Sequence, residues 1–240
     1  MSMSSTSSTT PPAPGPRQFG EGPLGVVTGG IYRWLTLTVL FAIACAPTWA
    51  LWLFLAPDPS NAILFALAGA PIGPALSAGL YSLRAKATDD GLAPGKAFWR
   101  GYALNWKDVL RFWVPALALL GIIGWTVGLR EYAGIGTAYV IFLAMVALGV
   151  FVWAMHCVAI VSFFSFRARD VARLGVFSLL TQVRATFGVI SLAVTAVAVL
   201  LLLEMPVLLA ALGGIWIWLW WANLKPMVAQ IQHRFVAPTP

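Results

Sequence analysis

IGTAYVIFLAMVALGVFVWAMHCVAIVSFFSF, residues 135–166, runs without one Asp, Glu, Lys or Arg. About 20 apolar residues suffice to carry a helix across the hydrocarbon core of a bilayer. This stretch exceeds that, so as a helix it either tilts strongly or projects into the cytoplasm. Strands of a membrane barrel are short and alternate apolar with polar residues, and no such alternation occurs here. The same reading extends to the whole chain. Of its 240 residues, 60% are hydrophobic and 10% charged, and the mean hydropathy is +0.86. Soluble domains carry roughly one charged residue in four. The sequence therefore predicts an all-α, polytopic transmembrane helical bundle.

Six spans are expected, forming three hairpins. The first covers 31–56 and ends at the breaker PDPSN; the second covers 61–83 and carries Pro71 and Pro74. The third covers 109–129, the fourth is the opening stretch, and the fifth and sixth cover 187–203 and 206–222. Glu204 and Pro206, in LEMP, favour a hairpin there over one kinked helix, which a charge and a proline also permit. Residues 1–19, rich in Ser, Thr and Pro, read as a disordered cytoplasmic tail and not as a signal peptide. The transmembrane domain is expected over 20–227 and a second cytoplasmic tail over 228–240.

Charge supports this topology. With both termini cytoplasmic, every Lys and Arg except Arg130 falls on the inner side, as the positive-inside rule requires. The net charge of +7 thus has a topogenic explanation, and no nucleic-acid module accompanies it. Tryptophans mark the interfaces: Trp49, Trp52 and Trp125 outside, and Trp216, Trp218, Trp220 and Trp221 inside. Cys45 and Cys157 lie in apolar runs and read as small buried hydrophobes.

Before the third span stands FWRGYALNWKDVLRFW, residues 98–113. At helical spacing Trp99, Tyr102, Trp106, Val109, Leu110 and Trp113 share a face, while Lys96, Arg100, Lys107 and Arg111 gather beside it. This predicts an amphipathic cytoplasmic helix lying in the interface plane, its cations at anionic headgroups. The same residue types also suit a partner surface, so Trp99, Arg100, Tyr102, Trp106, Lys107 and Arg111 are the candidate membrane-surface or partner contacts. A weaker counterpart precedes the fifth span, where Val176, Leu179, Leu180, Val183 and Phe187 share a face.

Chemical motifs fail on inspection. GLAPGKAF (91–98) has the wrong glycine spacing for a P-loop and lacks the Ser or Thr after Lys96; GIGTAY (134–139) lacks the third glycine of a dinucleotide fingerprint. No catalytic, cofactor-binding or metal-ligating set emerges, and no cofactor is implied. His156 is the one ionisable side chain well inside a span, which makes it a functional candidate beside the plainer reading of a helix-bridging imidazole. His233 reads as solvated. Pro71 and Pro74 free backbone carbonyls, which serve either a substrate path or a packed kink. Gly69, Gly73, Gly79, Gly121, Gly124 and Gly128 offer small faces for helix packing.

Three stretches together resemble the YesL-like family of bacterial integral membrane proteins: FGEGPLG (19–25), APIGPALSAGLY (70–81) and AFWRGYALNWKDVLR (97–111). The resemblance covers roughly 19–223, and in the last hairpin it rests on hydropathy alone. It implies a multi-pass protein of the bacterial cytoplasmic membrane, of unknown function, whose genes often neighbour carbohydrate ABC-transporter genes. The expected function is a non-enzymatic accessory or component of a carbohydrate transport system. Its expected partners are anionic lipid and ABC-transporter permease or ATPase subunits. An independent secondary carrier, a membrane-embedded enzyme and an assembly or regulatory partner are the alternatives.

Overall fold

The structure, a computed structural model, describes residues 23–87, 93–203 and 212–235. All regular secondary structure among them is helical. Helix α1 spans Pro23–Ala44 and α2 Ala46–Phe54. The two are nearly continuous, because Cys45 N–H donates to the Phe41 carbonyl and Trp49 N–H to that of Cys45. After a short 3-10 turn at Pro59–Asn61 come α3, Ala62–Ala68, and α4, Ile72–Ala87. The expected second span is thus broken at residues 69–71. Pro71 has no N–H to continue the ladder, and the Leu67 carbonyl turns to Ala70 N–H instead. Pro74 sits in the first turn of α4, where its missing donor costs nothing.

Helix α5 spans Pro94–Gly128, 35 residues without a break. This corrects the expectation that the amphipathic segment before the third span lies in the interface plane, since it continues straight into that span. The two are one helix, because nothing between Lys107 and Val109 stops it and Pro115 alone interrupts the ladder. Helix α6, Thr137–Phe163, falls inside the expected fourth span. Helices α7, Ala168–Thr181, and α8, Val183–Leu203, meet at Gln182 with a bend of 91°. Helix α9 spans Gly213–Phe235. The segment expected as a tail from 228 is therefore helical to Phe235. Leu224, Met227 and Ile231 recur on one face and are buried, which holds the helix together past Lys225 and Pro226. The Glu204–Pro206 hairpin, the N-terminal tail and the last residues lie outside the described segments.

Among the described residues four stretches are long and apolar enough to cross a membrane: α1, α3 with α4, α5 and α6. A fifth appears if the bent pair α7–α8 counts as one. The chain is a helical membrane protein on this ground.

The organising seam runs between α3–α4 and α5, antiparallel along its whole length. Contacts step from Tyr81 with Gly101, through Trp113 with Gly73, to Ile63 with Gly121 and Pro59 with Gly128. Lipid tails are as apolar as leucine, so burying apolar surface gains little in a bilayer; close packing and internal hydrogen bonds hold such helices together. Gly121 shows the closeness required, since a Cβ there would stand 2.7 Å from the Ile63 Cα. Beyond the seam, α6 divides in two. Residues 152 and 154–163 are buried among α4, α5, α7, α8 and α9, whereas none of 137–149 is. On that outer half Tyr139, Ile141, Phe142 and Met145 are exposed apolar side chains, a surface suited to acyl chains.

Replacing Gly121 by valine forces α3 away from α5. The expected result is a loss of about 1–3 kcal/mol, the usual cost of overpacking, read as a lower melting temperature in mild detergent. Gly149→Val, where no atom stands within 4 Å, leaves melting unchanged.

Candidate functional site

The polar groups of the packed half converge where α4, α5, α6 and α7 meet. Asn105 Nδ2 lies 3.1 Å from Ser77 Oγ, Ser77 Oγ lies 2.8 Å from Ser162 Oγ, and Ser162 Oγ lies 2.6 Å from the Val158 carbonyl. Each hydroxyl has one proton, and a carbonyl can only accept. The consistent assignment has Asn105 donating to Ser77, Ser77 to Ser162, and Ser162 to Val158. Three helices are thereby joined by one buried chain. Arg84, from the end of α4, donates to the Phe163 carbonyl at 2.7 Å and stands 5.7 Å above that residue's ring. A cation at the C-terminus of α6 satisfies one of its unpaired carbonyls and complements the helix dipole.

These groups border a cleft of about 350 Å³, lined among others by Arg84, Asn105, Asp108, Arg111, Ser162 and Ser165. Its chemistry is hydrogen bonding with a charge at one edge. Among the described residues no group of three His, Cys, Asp or Glu could hold a metal ion. Sequence reading did not find this cleft. Ser77 and Ser162 are single hydroxyls in apolar runs, and no spacing rule connects them.

The residues singled out from sequence divide between two places. On α5, Val109 and Trp113 face the core, Tyr102 is half-buried, and Trp99 and Trp106 are 45% and 41% exposed. The expected aromatic face is thus split. Trp113 belongs to the seam, while Trp99 stacks edge-on with Tyr102 at 5.8 Å. Lys107 Nζ stands 5.4 Å above the Trp106 ring. Arg100 is exposed, and Arg111 pairs with Asp108 at 2.7 Å on the surface. The tryptophan run of α9 splits likewise: Trp220 is a core residue at 1% exposure, and Trp218 faces outward at 56%. Of the face expected before the fifth span, Val176 and Leu180 are exposed on α7 while Leu179 packs against the core, and Val183 and Phe187, also exposed, lie beyond the 91° bend on α8, so the five do not share one helical face.

His156 is fully buried, with Nε2 3.1 Å from Thr186 Oγ1. Thr186 in turn donates to the Leu179 carbonyl at 3.0 Å. Because that bond uses the threonine proton, His156 must donate from Nε2–H. Its Nδ1 is then a bare acceptor, buried without a partner among the described residues. The imidazole so joins α6 to the elbow between α7 and α8. Pro71 and Pro74 lie at the packed break, where the buried Gly69 carbonyl receives both Ile72 N–H at 3.1 Å and Trp113 Nε1–H at 3.0 Å.

No family model, no curated protein and no solved structure matches the chain.

The His156–Thr186 contact is testable by a double-mutant cycle. Thr186→Val leaves the buried His156 Nε2–H unpaired and is expected to cost about 1–3 kcal/mol, whereas His156→Leu removes the imidazole while Thr186 keeps its bond to the Leu179 carbonyl. The double variant is expected to lose clearly less than the sum, measured by equilibrium unfolding in mixed micelles. Additive losses would mean that the imidazole and hydroxyl do not interact.

Proposed function

We propose that this chain is a six-span protein of the bacterial cytoplasmic membrane, with both termini inside, that serves as a non-enzymatic accessory or component of a transport system. The cargo class suggested by the resemblance to YesL-like proteins is carbohydrate. The observation that carries the reading is the length and surface of α5. At 1.5 Å per residue its 35 residues extend about 52 Å, against a hydrocarbon core of about 30 Å. The apolar part, 109–128, fills that core by itself. Residues 94–108 then stand beyond it, braced by the end of α4 through buried Phe98 and Leu80 and through the Ser82 hydroxyl, which donates to the Pro94 carbonyl at 3.1 Å.

Headgroups add only about 6 Å on each side. Trp99, ten residues before Val109, lies past them along a helix that follows the membrane normal. Exposed Trp99 and Arg100 therefore suit a protein partner better than a lipid surface, while exposed Trp106, close to Val109 in the helix, stands at headgroup depth. Tryptophan and arginine are the residue types that dominate protein interfaces. A permease or ATPase subunit is the partner class in keeping with this position.

Purification of the tagged chain from its native membrane in mild detergent tests the proposal. Permease or ATPase subunits are expected to copurify with the wild type. They are expected to be lost from a variant carrying Trp99→Ala, Arg100→Ala and Trp106→Ala that still elutes as a folded protein. Recovery of the chain alone from the wild type overturns the accessory role.

A further inference from the structure

We infer that the groove between α1 and α9 is a binding site for one phospholipid with an anionic headgroup. The groove holds about 510 Å³ and is lined by Arg33 and Trp34 from α1, Leu83 from α4, and Trp218, Trp221 and Lys225 from α9, among others. Two cations therefore face one cavity from two helices. No carboxylate lines it, and neither Arg33 nor Lys225 has an ion pair among the described residues. Arg33 is half-buried and Lys225 exposed at the groove, so both cations are accessible to an anion entering it.

The third polar group is the indole of Trp34. Its Nε1–H is buried without an acceptor among the described residues, although an indole in this setting normally finds one. The ring cannot turn away freely, because it is wedged against Gly214, whose added Cβ would stand 2.7 Å from Trp34 Cδ1. Arginine and ammonium together form a donor set for a phosphodiester, which offers acceptors and a negative charge and no donor, while the Trp34 ring, its N–H closed off from the groove, serves as wall. The walls match the rest of such a molecule. Leu37 and Leu83 form an apolar floor, and Ile31, Leu35 and Ile215 are exposed apolar side chains along the same two helices, where acyl chains would lie. Basic pockets between membrane helices hold anionic headgroups on this physical basis. The site is separate from the α5 surface and does not rest on the accessory role.

The test uses the full-length chain in zwitterionic detergent micelles supplied with equal amounts of phosphatidylglycerol and phosphatidylcholine, and reads retained lipid by native mass spectrometry. The wild type is expected to retain one phosphatidylglycerol with a preference of roughly tenfold or more over phosphatidylcholine, since each nearby cation adds to the attraction. Arg33→Ala with Lys225→Ala is expected to abolish the preference. Arg33→Lys with Lys225→Arg, which keeps both charges, is expected to retain it, and this pair keeps the test decisive if the alanine variant unfolds. Arg100→Ala with Lys107→Ala is expected to change nothing. Equal retention of the two lipids by the wild type, or an undiminished preference in the alanine variant, overturns the site. Displacement of the lipid by millimolar inorganic phosphate would identify a soluble anion as the occupant and overturn it equally.

Discussion

The indole of Trp113 lies across Gly73, close enough that a Cβ there would stand 2.6 Å from its ring, and gives its N–H to the Gly69 carbonyl. In water a broken helix exposes its carbonyls to solvent at little cost. In hydrocarbon each unpaired carbonyl costs several kcal/mol, and the Gly69 carbonyl at the break is satisfied twice, by Ile72 N–H and by the indole that α5 brings to it. The indole contact fixes the register of α5 against α3 and α4. The register in turn brings Asn105 to Ser77, stands Gly121 against Ile63, and carries Tyr81 onto Gly101.

From that seam the bundle grows unequally. The C-terminal half of α6 gathers with α7, α8 and α9 around His156 and the serine chain, whereas its N-terminal half is largely uncovered by the described residues. Interior hydrogen bonds follow the same asymmetry. Trp153 reaches the Ala172 carbonyl, Thr186 reaches Leu179, and Gln182 pairs with Gln230 at the elbow. Polar bonds between helices gain value where water is absent, and they supply the orientation that apolar contact alone leaves loose.

Long apolar runs made the helical class and most of the spans readable from composition alone. Prolines at 71 and 74 announced the break, and the glycines facing it announced close packing. What escaped the reading shares one cause: a periodic pattern reveals that a face exists, not what covers it. Trp113 and Trp106 share the aromatic face of α5, yet one is core and the other surface. The tail expected from 228 begins inside a helix, because Leu224, Met227 and Ile231 carry it onward by packing. Arg84 was legible as a topogenic charge, and its bond to Phe163 depends on a residue 79 positions away. Ser77 and Ser162 are 85 positions apart, and no local signal spans such a distance.

The chain from Asn105 through Ser77 and Ser162 to Val158 has a direction. Its protons all point toward α6, and the two ends bear loss differently. At the Asn105 end, removal of the amide leaves Ser77 with an idle lone pair, a deficit that buried oxygens often carry. At the other end, removal of the Ser162 hydroxyl strands the Ser77 proton between three helices with no oxygen in front of it. Loss of Ser162 is therefore felt at Ser77 as a proton to be placed anew, and loss of Asn105 only as an unused lone pair; the chain is stiff at its α6 end and forgiving at its α5 end.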